Sequence, residues 1–95
     1  MTPRTAARID INQPQIVYEL RQLGYSVACI HQLGHGLPDI LVGSRGVNLL
    51  FQIKQPGMED QLTPDEKEWH ASWNGQVHVI ACAEDALDII ELLGG

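Results

Sequence analysis

The fold is decided by two short segments, Gly36-Leu37-Pro38-Asp39 and Gln52-Ile53-Lys54-Gln55, which are separated by twelve residues. The predicted turn Gly43-Ser44-Arg45-Gly46 lies midway between them, so the two flanking strands are predicted to form a hairpin folded about residues 44–45. In that hairpin Asp39 lies opposite Phe51 or Gln52. Alternate residues of a strand share a face, so Gln52 and Lys54 point the same way. We therefore expect an acid, an amide and a lysine to meet at one end of the hairpin.

The other face of the hairpin is predicted to belong to the core. Leu49, Phe51 and Ile53 alternate with the polar positions, as in a strand with one buried face. A helix before the hairpin carries an apolar stripe at helical spacing, formed by Ile16, Val17, Leu20 and Leu23. Gln13 falls inside the same arc, so its side chain is expected to face the sheet, where a polar group needs a partner. Gln13 is therefore a candidate for supporting the polar cluster.

Local signals place the remaining elements. Asn12 followed by Gln15, and Thr63 followed by Glu66, have the spacing of capping boxes at helix starts. The predicted order is helix 13–23, strand 25–31, strand 39–42, strand 48–54, helix 63–73, strand 76–82 and helix 84–93. Three successive strands indicate a meander, and the strand–helix–strand unit after them requires a crossover. The expected fold class is α/β: an αβββαβ core with a mixed four-stranded sheet flanked by helices, and an extra C-terminal helix.

Several conspicuous side chains have plain structural interpretations. Trp69 and Trp73 are four residues apart on the second helix and share a face, which favours core packing. Glu66 is expected to be a capping carboxylate. Cys29 and Cys82 are expected to be reduced thiols in the core, because disulfides are rare inside cells.

Length and composition bound the class of protein. Ninety-five residues, 44% of them hydrophobic, indicate one folded domain spanning 1–95, with 1–9 as a mobile leader. No apolar run approaches the ~18–20 residues needed to cross a membrane. The first residues lack the apolar stretch of a secretory signal. We therefore expect a cytoplasmic protein.

Charge is divided unequally along the chain. Residues 1–54 hold five basic and three acidic side chains, whereas 55–95 hold one lysine and nine acids. The formal net charge of −6 argues against avid, nonspecific binding of nucleic acid. The N-terminal half still allows one mildly basic face, and a solvated acidic surface is the simplest interpretation of the C-terminal half.

The motif residues and their surroundings resemble a known superfamily. Pro38-Asp39 followed by Gln52-Ile53-Lys54 is similar to the proline–aspartate, acid-x-lysine motif of the restriction-endonuclease-like, or PD-(D/E)xK, nucleases. Within that superfamily the chain looks most like the virus-type replication-repair nuclease (VRR-NUC) domains and phage Holliday junction resolvase-like proteins. The resemblance runs from Asp10 to Leu92 and includes Asp10-Ile11-Asn12-Gln13, Gly36-Leu37-Pro38-Asp39-Ile40-Leu41-Val42-Gly43 and Leu62-Thr63-Pro64-Asp65.

This resemblance implies metal-dependent cleavage of DNA, with Mg²⁺ or Mn²⁺ as the cofactor. It assigns Asp39, residue 52 and the backbone carbonyl of Ile53 as metal ligands. Lys54 is the group that orients the attacking water or stabilises developing negative charge. The implied substrate is branched or structured DNA, in a bacterial cell hosting the phage or prophage that encodes the protein. On such a nuclease His35 and Arg45 are candidate contacts to DNA phosphates.

Gln52 departs from the family pattern, which has glutamate at this position, and many relatives also carry an acid where this chain has Gln13. Asp39 and Lys54 alone sum to a formal charge of zero, which holds a divalent cation less firmly than a charge of −1. Three interpretations stay open. Gln52 is a deliberately introduced inactivating residue, or a natural variant whose metal shell is completed by the substrate phosphate or another acid, or the mark of a protein that binds without cutting.

Three hypotheses of function follow. The first is an endonuclease, and the second, supported by Gln52 and Gln13, is a non-catalytic DNA-binding module with the nuclease fold. The third is an acidic interaction protein that touches no nucleic acid. A homodimer is expected with the nuclease, because the core is small and a symmetric junction has two strands to cut.

Overall fold

The computed structural model describes residues 11–93; the predicted leader and the closing glycines lie outside the described residues. It contains three α-helices, α1 (Gln13–Gln22), α2 (Pro64–Ser72) and α3 (Ala83–Leu92). Its strands are β1 (Ser26–Cys29), β2 (Ile40–Ser44), β3 (Val47–Ile53) and β4 (Val77–Ile80), with a short 3₁₀ turn at His31–Leu33. The predicted α/β class is confirmed. None of the helices within residues 11–93 is long and apolar enough to cross a bilayer.

The four strands form one mixed sheet in the order β1-β2-β3-β4. β1, β2 and β3 are a meander of antiparallel neighbours, and β4 lies parallel to β3 after the α2 crossover. The β2–β3 hairpin pairs Ile40 with Phe51 and Ser44 with Val47. It closes through Arg45 and Gly46, whose φ angles of 52° and 82° suit a tight two-residue turn. If this register is extended by one residue, Asp39 lies opposite Gln52, which is one of its two predicted partners.

One face of the sheet carries the hydrophobic core. Alternate residues of the hairpin are fully buried on this face, and they include Leu49, Phe51 and Ile53, which confirms the prediction. Helices α1 and α3 supply buried side chains to the same cluster, chiefly Ile16, Leu20, Ala86 and Ile90. Both helices therefore cover this face.

The opposite face is covered only in part, by α2. This helix has no buried residue. Trp69 and Trp73 stack on each other with ring centroids 4.6 Å apart, but Trp73 is 45% exposed. The two indoles border an open groove of about 560 Å³ with Leu41 and Leu50 of the sheet. The predicted core packing is therefore wrong for Trp73, whereas Trp69 is half-buried beside the sheet without joining the core cluster.

The start of α1 differs from its prediction. Asn12 is the N-cap residue, but its side chain makes no capping hydrogen bond. Its amide instead donates to the carbonyls of Lys54 (3.0 Å) and Ala81 (2.8 Å) and accepts from the Gln55 amide (3.0 Å). The predicted capping box with Gln15 is wrong, because the long-range bonds that tie α1 to the ends of β3 and β4 use the same side chain.

The first strand and the cysteines also differ from expectation. The predicted strand 25–31 is shortened to β1, since His31 begins the 3₁₀ turn. β1 is one of the two edge strands of the sheet, and Cys29 at its end is exposed, as is Cys82. The prediction that both thiols lie in the core is therefore wrong.

Candidate functional site

A buried hydrogen bond joins Asp39 and Gln52 at the end of the hairpin. Gln52 Nε2 donates to Asp39 Oδ2 at 2.9 Å, and the backbone N–H of Ile53 donates to the same oxygen at 2.7 Å. Both side chains are buried, with Gln52 only 2% exposed. They lie on the sheet face opposite the core. The predicted meeting of the acid and the amide is confirmed.

Helix α2 brings a second carboxylate to this pair. Glu66 Oε1 lies 2.7 Å from Lys54 Nζ, and Glu66 Oε2 accepts from Gln52 Nε2 at 3.1 Å. The Gln52 amide nitrogen therefore bridges two carboxylates, one from the sheet and one from the helix. Lys54 joins the same cluster through Glu66, so all three motif side chains meet as the sequence predicted.

A capping box fixes the position of Glu66. Thr63 Oγ1 accepts from the Glu66 backbone N–H at 3.1 Å, and Glu66 Oε1 accepts from the Thr63 backbone N–H at 2.9 Å. The predicted capping role is confirmed. The same carboxylate also contacts Gln52 and Lys54, and the capping motif does not predict these two contacts.

His70 lies one helical turn after Glu66 and closes the network. Its Nε2 is 3.2 Å from Gln52 Oε1. Burial lowers the pKa of His70, Glu66 opposes that shift, and Lys54 reinforces it. A neutral imidazole with its proton on Nε2 donates to Gln52 Oε1, which leaves both amide hydrogens of Gln52 for the carboxylates.

The cluster carries a formal charge of −1, because Asp39 and Glu66 outweigh Lys54. Lys54 and Glu66 are only 14% and 17% exposed, so their attraction is screened less than that of a surface pair. The Ile53 side chain lies in the core, and its backbone alone faces the cluster.

Gln13 faces inward, as predicted, and is 3% exposed. Its Nε2 lies 3.3 Å from His31 Nδ1. Its Oε1 is buried and has no hydrogen-bond partner within residues 11–93. Its support of the Asp39 cluster stays a prediction.

The two candidate DNA contacts lie in different places. His35 is exposed in its loop and borders a polar pocket with Asp65 and Glu68 at the start of α2. Arg45 is exposed at the hairpin tip, roughly 20 Å of strand away from Gln52. Any phosphate that Arg45 contacts is therefore distant from the Asp39 cluster, and both contacts stay predictions.

Sequence reasoning missed Glu66 and His70 as members of the cluster. A signal for them existed. The Thr63 cap fixes the start of α2, and residues four apart share a helix face, so Glu66 and His70 were bound to point the same way. Whether both side chains also face Gln52 depends on where the crossover helix α2 lies on the sheet. The local sequence pattern does not determine that position.

No protein-family model matches the sequence, and no curated protein matches it.

Proposed function

We propose that this protein is a metal-dependent endonuclease that hydrolyses phosphodiesters in branched or structured DNA, such as Holliday junctions or flaps. The observation that carries the proposal is the convergence of Asp39, Gln52 and Lys54 on one sheet face, in the order and spacing of the PD-(D/E)xK motif. The element order of α1, a three-stranded meander, α2 and β4 matches the αβββαβ core that the same resemblance implies. The sequence resemblance to VRR-NUC domains supports the substrate class.

The chemistry of the cluster fits a hard divalent cation. Asp39 supplies a carboxylate and Ile53 a backbone carbonyl, and Mg²⁺ and Mn²⁺ bind such oxygen donors. Gln52 would add an amide oxygen after its side chain turned, because Oε1 lies beside His70 and Nε2 faces the two carboxylates. No trio of His, Cys, Asp and Glu side chains suited to a metal is gathered within residues 11–93. Among the described residues, the candidate ligand set combines carboxylates with neutral oxygens. A bound cation would neutralise phosphate charge and acidify a coordinated water.

The residues of the chain have distinct tasks in this proposal. Ile53 N–H and Gln52 hold the Asp39 carboxylate in a buried position. Glu66 holds the Lys54 ammonium at the edge of the cluster. From there Lys54 stabilises negative charge that develops on the phosphate.

One observation favours the second hypothesis, a DNA-binding module without catalysis. The Gln52 amide nitrogen already bridges Asp39 and Glu66, so the two carboxylates have a partner without any cation. A glutamine that links the two carboxylates by itself suits a protein that binds DNA without a metal. Both hypotheses share DNA as the partner, and a homodimer is proposed with the first.

A cleavage time course on four-way junction, flap and linear duplex DNA tests the proposal. The unaltered chain is compared with Asp39→Ala and with Asp88→Ala, which removes an exposed acid of α3. Cleavage that requires Mg²⁺ or Mn²⁺, is lost in Asp39→Ala and survives in Asp88→Ala is the expected result. Binding of the junction without cleavage under any metal would favour the binding module. A monodisperse monomer in light scattering, with and without DNA, would contradict the dimer.

A further inference from the structure

We propose that Glu66, on α2, is the second metal-binding carboxylate of this protein and replaces the acid that residue 52 lacks. This inference rests on the proposed metal-dependent function. It adds a ligand from a different element of the fold, outside the motif strand, and it makes Glu66 a residue of the reacting centre in addition to a helix cap.

The geometry places Glu66 where such a ligand has to be. Asp39 Oδ2 and Glu66 Oε2 are both within hydrogen-bond distance of one atom, Gln52 Nε2. Two carboxylate oxygens from different elements thus converge on a single point. The group at that point carries the partial positive charge of an amide N–H₂. A cation that took its place would keep the two carboxylates paired, and the Gln52 amide would turn so that its oxygen faced the cation.

The charge of the cluster supports the same conclusion. Asp39, Gln52 and Lys54 sum to zero, whereas a glutamate at 52 would make the sum −1. Adding Glu66 to the residues present restores −1. Glu66 is hydrogen-bonded to Gln52. The second carboxylate of the cluster therefore lies directly beside residue 52, where the family motif has its glutamate.

The neighbouring acids of α2 do not share this position. Asp65 and Glu68 are exposed and border the pocket beside His35. Glu66 is oriented by contacts on both oxygens, from Lys54 and the Thr63 N–H to Oε1 and from Gln52 to Oε2. Because only Glu66 of these three acids contacts the cluster, Glu68 is a matched control on the same helix.

The competing interpretation is that Glu66 acts only as a cap and as the partner of Lys54. Glu66→Gln separates this interpretation from metal binding, because glutamine can keep the capping box at the third helical position but brings no negative charge. The reciprocal exchange Gln52→Glu/Glu66→Gln keeps the number of carboxylates and amides constant. It returns the negative charge to the strand.

The test is Mn²⁺ binding, measured by calorimetry and by the loss of the free Mn²⁺ resonance signal, with folding checked by circular dichroism. Binding to Glu66→Gln is expected to be at least about tenfold weaker than to the unaltered chain. Glu68→Gln is expected to bind as the unaltered chain does. The exchange variant is expected to regain most of the affinity, although Lys54 has lost its original partner.

Each other result has a defined meaning. Equal Mn²⁺ affinity of Glu66→Gln and Glu68→Gln, or an exchange variant that folds but does not regain binding, would overturn the role of Glu66. Binding by Gln52→Glu but not by the unaltered chain would overturn it too, and would leave the metal site itself in place. If neither the unaltered chain nor Gln52→Glu binds Mn²⁺, both this inference and the proposed metal-dependent function are wrong.

Discussion

Gln52 and Asp39 form a buried hydrogen bond of 2.9 Å on the sheet face that the hydrophobic core does not occupy. A buried amide is costly unless its donors and acceptor are satisfied. Here the N–H₂ group serves Asp39 and Glu66, and the carbonyl lies 3.2 Å from the His70 imidazole. The polar cluster is therefore part of what holds the second face of the sheet together, as well as a candidate site.

Removing the Asp39 carboxylate is expected to destabilise the fold. In Asp39→Ala the Ile53 N–H loses a 2.7 Å bond, and a buried Gln52 donor loses its acceptor. We expect a loss of about 2 kcal/mol in the free energy of unfolding, measured by urea denaturation. Asp88→Ala, at an exposed site of α3, is the control. A loss below about 0.5 kcal/mol for Asp39→Ala would show that the cluster is not a structural element.

Lys54 is expected to affect cleavage more than metal binding. Lys54→Met removes an ammonium that lies 2.7 Å from Glu66 Oε1, so the cluster becomes more negative. Mn²⁺ affinity should therefore be unchanged or higher, while the cleavage rate on junction DNA falls at least about 100-fold. Lys67→Met, on the exposed side of α2, should change neither. Loss of Mn²⁺ binding in Lys54→Met would contradict the assigned role.

The hairpin was predictable because local rules determine it. Counting along the chain from the turn narrowed the residue opposite Asp39 to Phe51 or Gln52, and the observed register, which pairs Ile40 with Phe51, decides for Gln52. The turn itself is shorter than the predicted 43–46, since Gly43 and Ser44 still belong to β2. The meander and the crossover helix followed from the element order.

The rest of the site depends on contacts that span many residues. Asn12 satisfies carbonyls 42 and 69 residues away, and nothing near it in the sequence announces them. The tryptophans of α2 were assigned to the core because their spacing is helical. Their spacing predicts that they share a helix face, but it does not predict how closely α2 packs on the sheet. That distance also decides whether Glu66 and His70 contact Gln52.

Histidine protonation is expected to weaken the cluster in mild acid. The pKa of His70 lies below 6.5, chiefly because of burial, so the unfolded chain binds the extra proton more readily. This contribution to stability is complete above pH 6.5 and is lost as the pH falls through the lower pKa of the folded state. His78 shifts in the same direction through burial. Melting curves should therefore move to lower temperature in this range, less so in His70→Gln.

Imidazole resonances measured by nuclear magnetic resonance check the causes of that shift. Because Glu66 raises the pKa of His70 and Lys54 lowers it, Glu66→Gln should lower the pKa further and Lys54→Met should raise it. His78 is the internal control, since its shift has burial as its cause. A His70 that titrates at or above 6.5 in the unaltered chain would contradict the buried contact with Gln52.

The Gly36 backbone lies directly against the first turn of α2, so its replacement should disturb the site from a distance. At its φ of 80°, an added Cβ would meet the Asp65 carbonyl carbon at 2.7 Å and Glu66 N at 3.1 Å. We expect Gly36→Ala to lower the free energy of unfolding by about 2–4 kcal/mol, from the left-handed backbone and the clash together.

Gly46→Ala is the matched control. Gly46 has a similar φ of 82°, and an added Cβ would meet no atom within 4 Å, so this variant should show the backbone cost alone. Because the Gly36 clash displaces the residue next to Glu66, Mn²⁺ affinity should fall in Gly36→Ala and stay constant in Gly46→Ala. Equal stability of the two variants would mean that the 34–37 loop does not position α2.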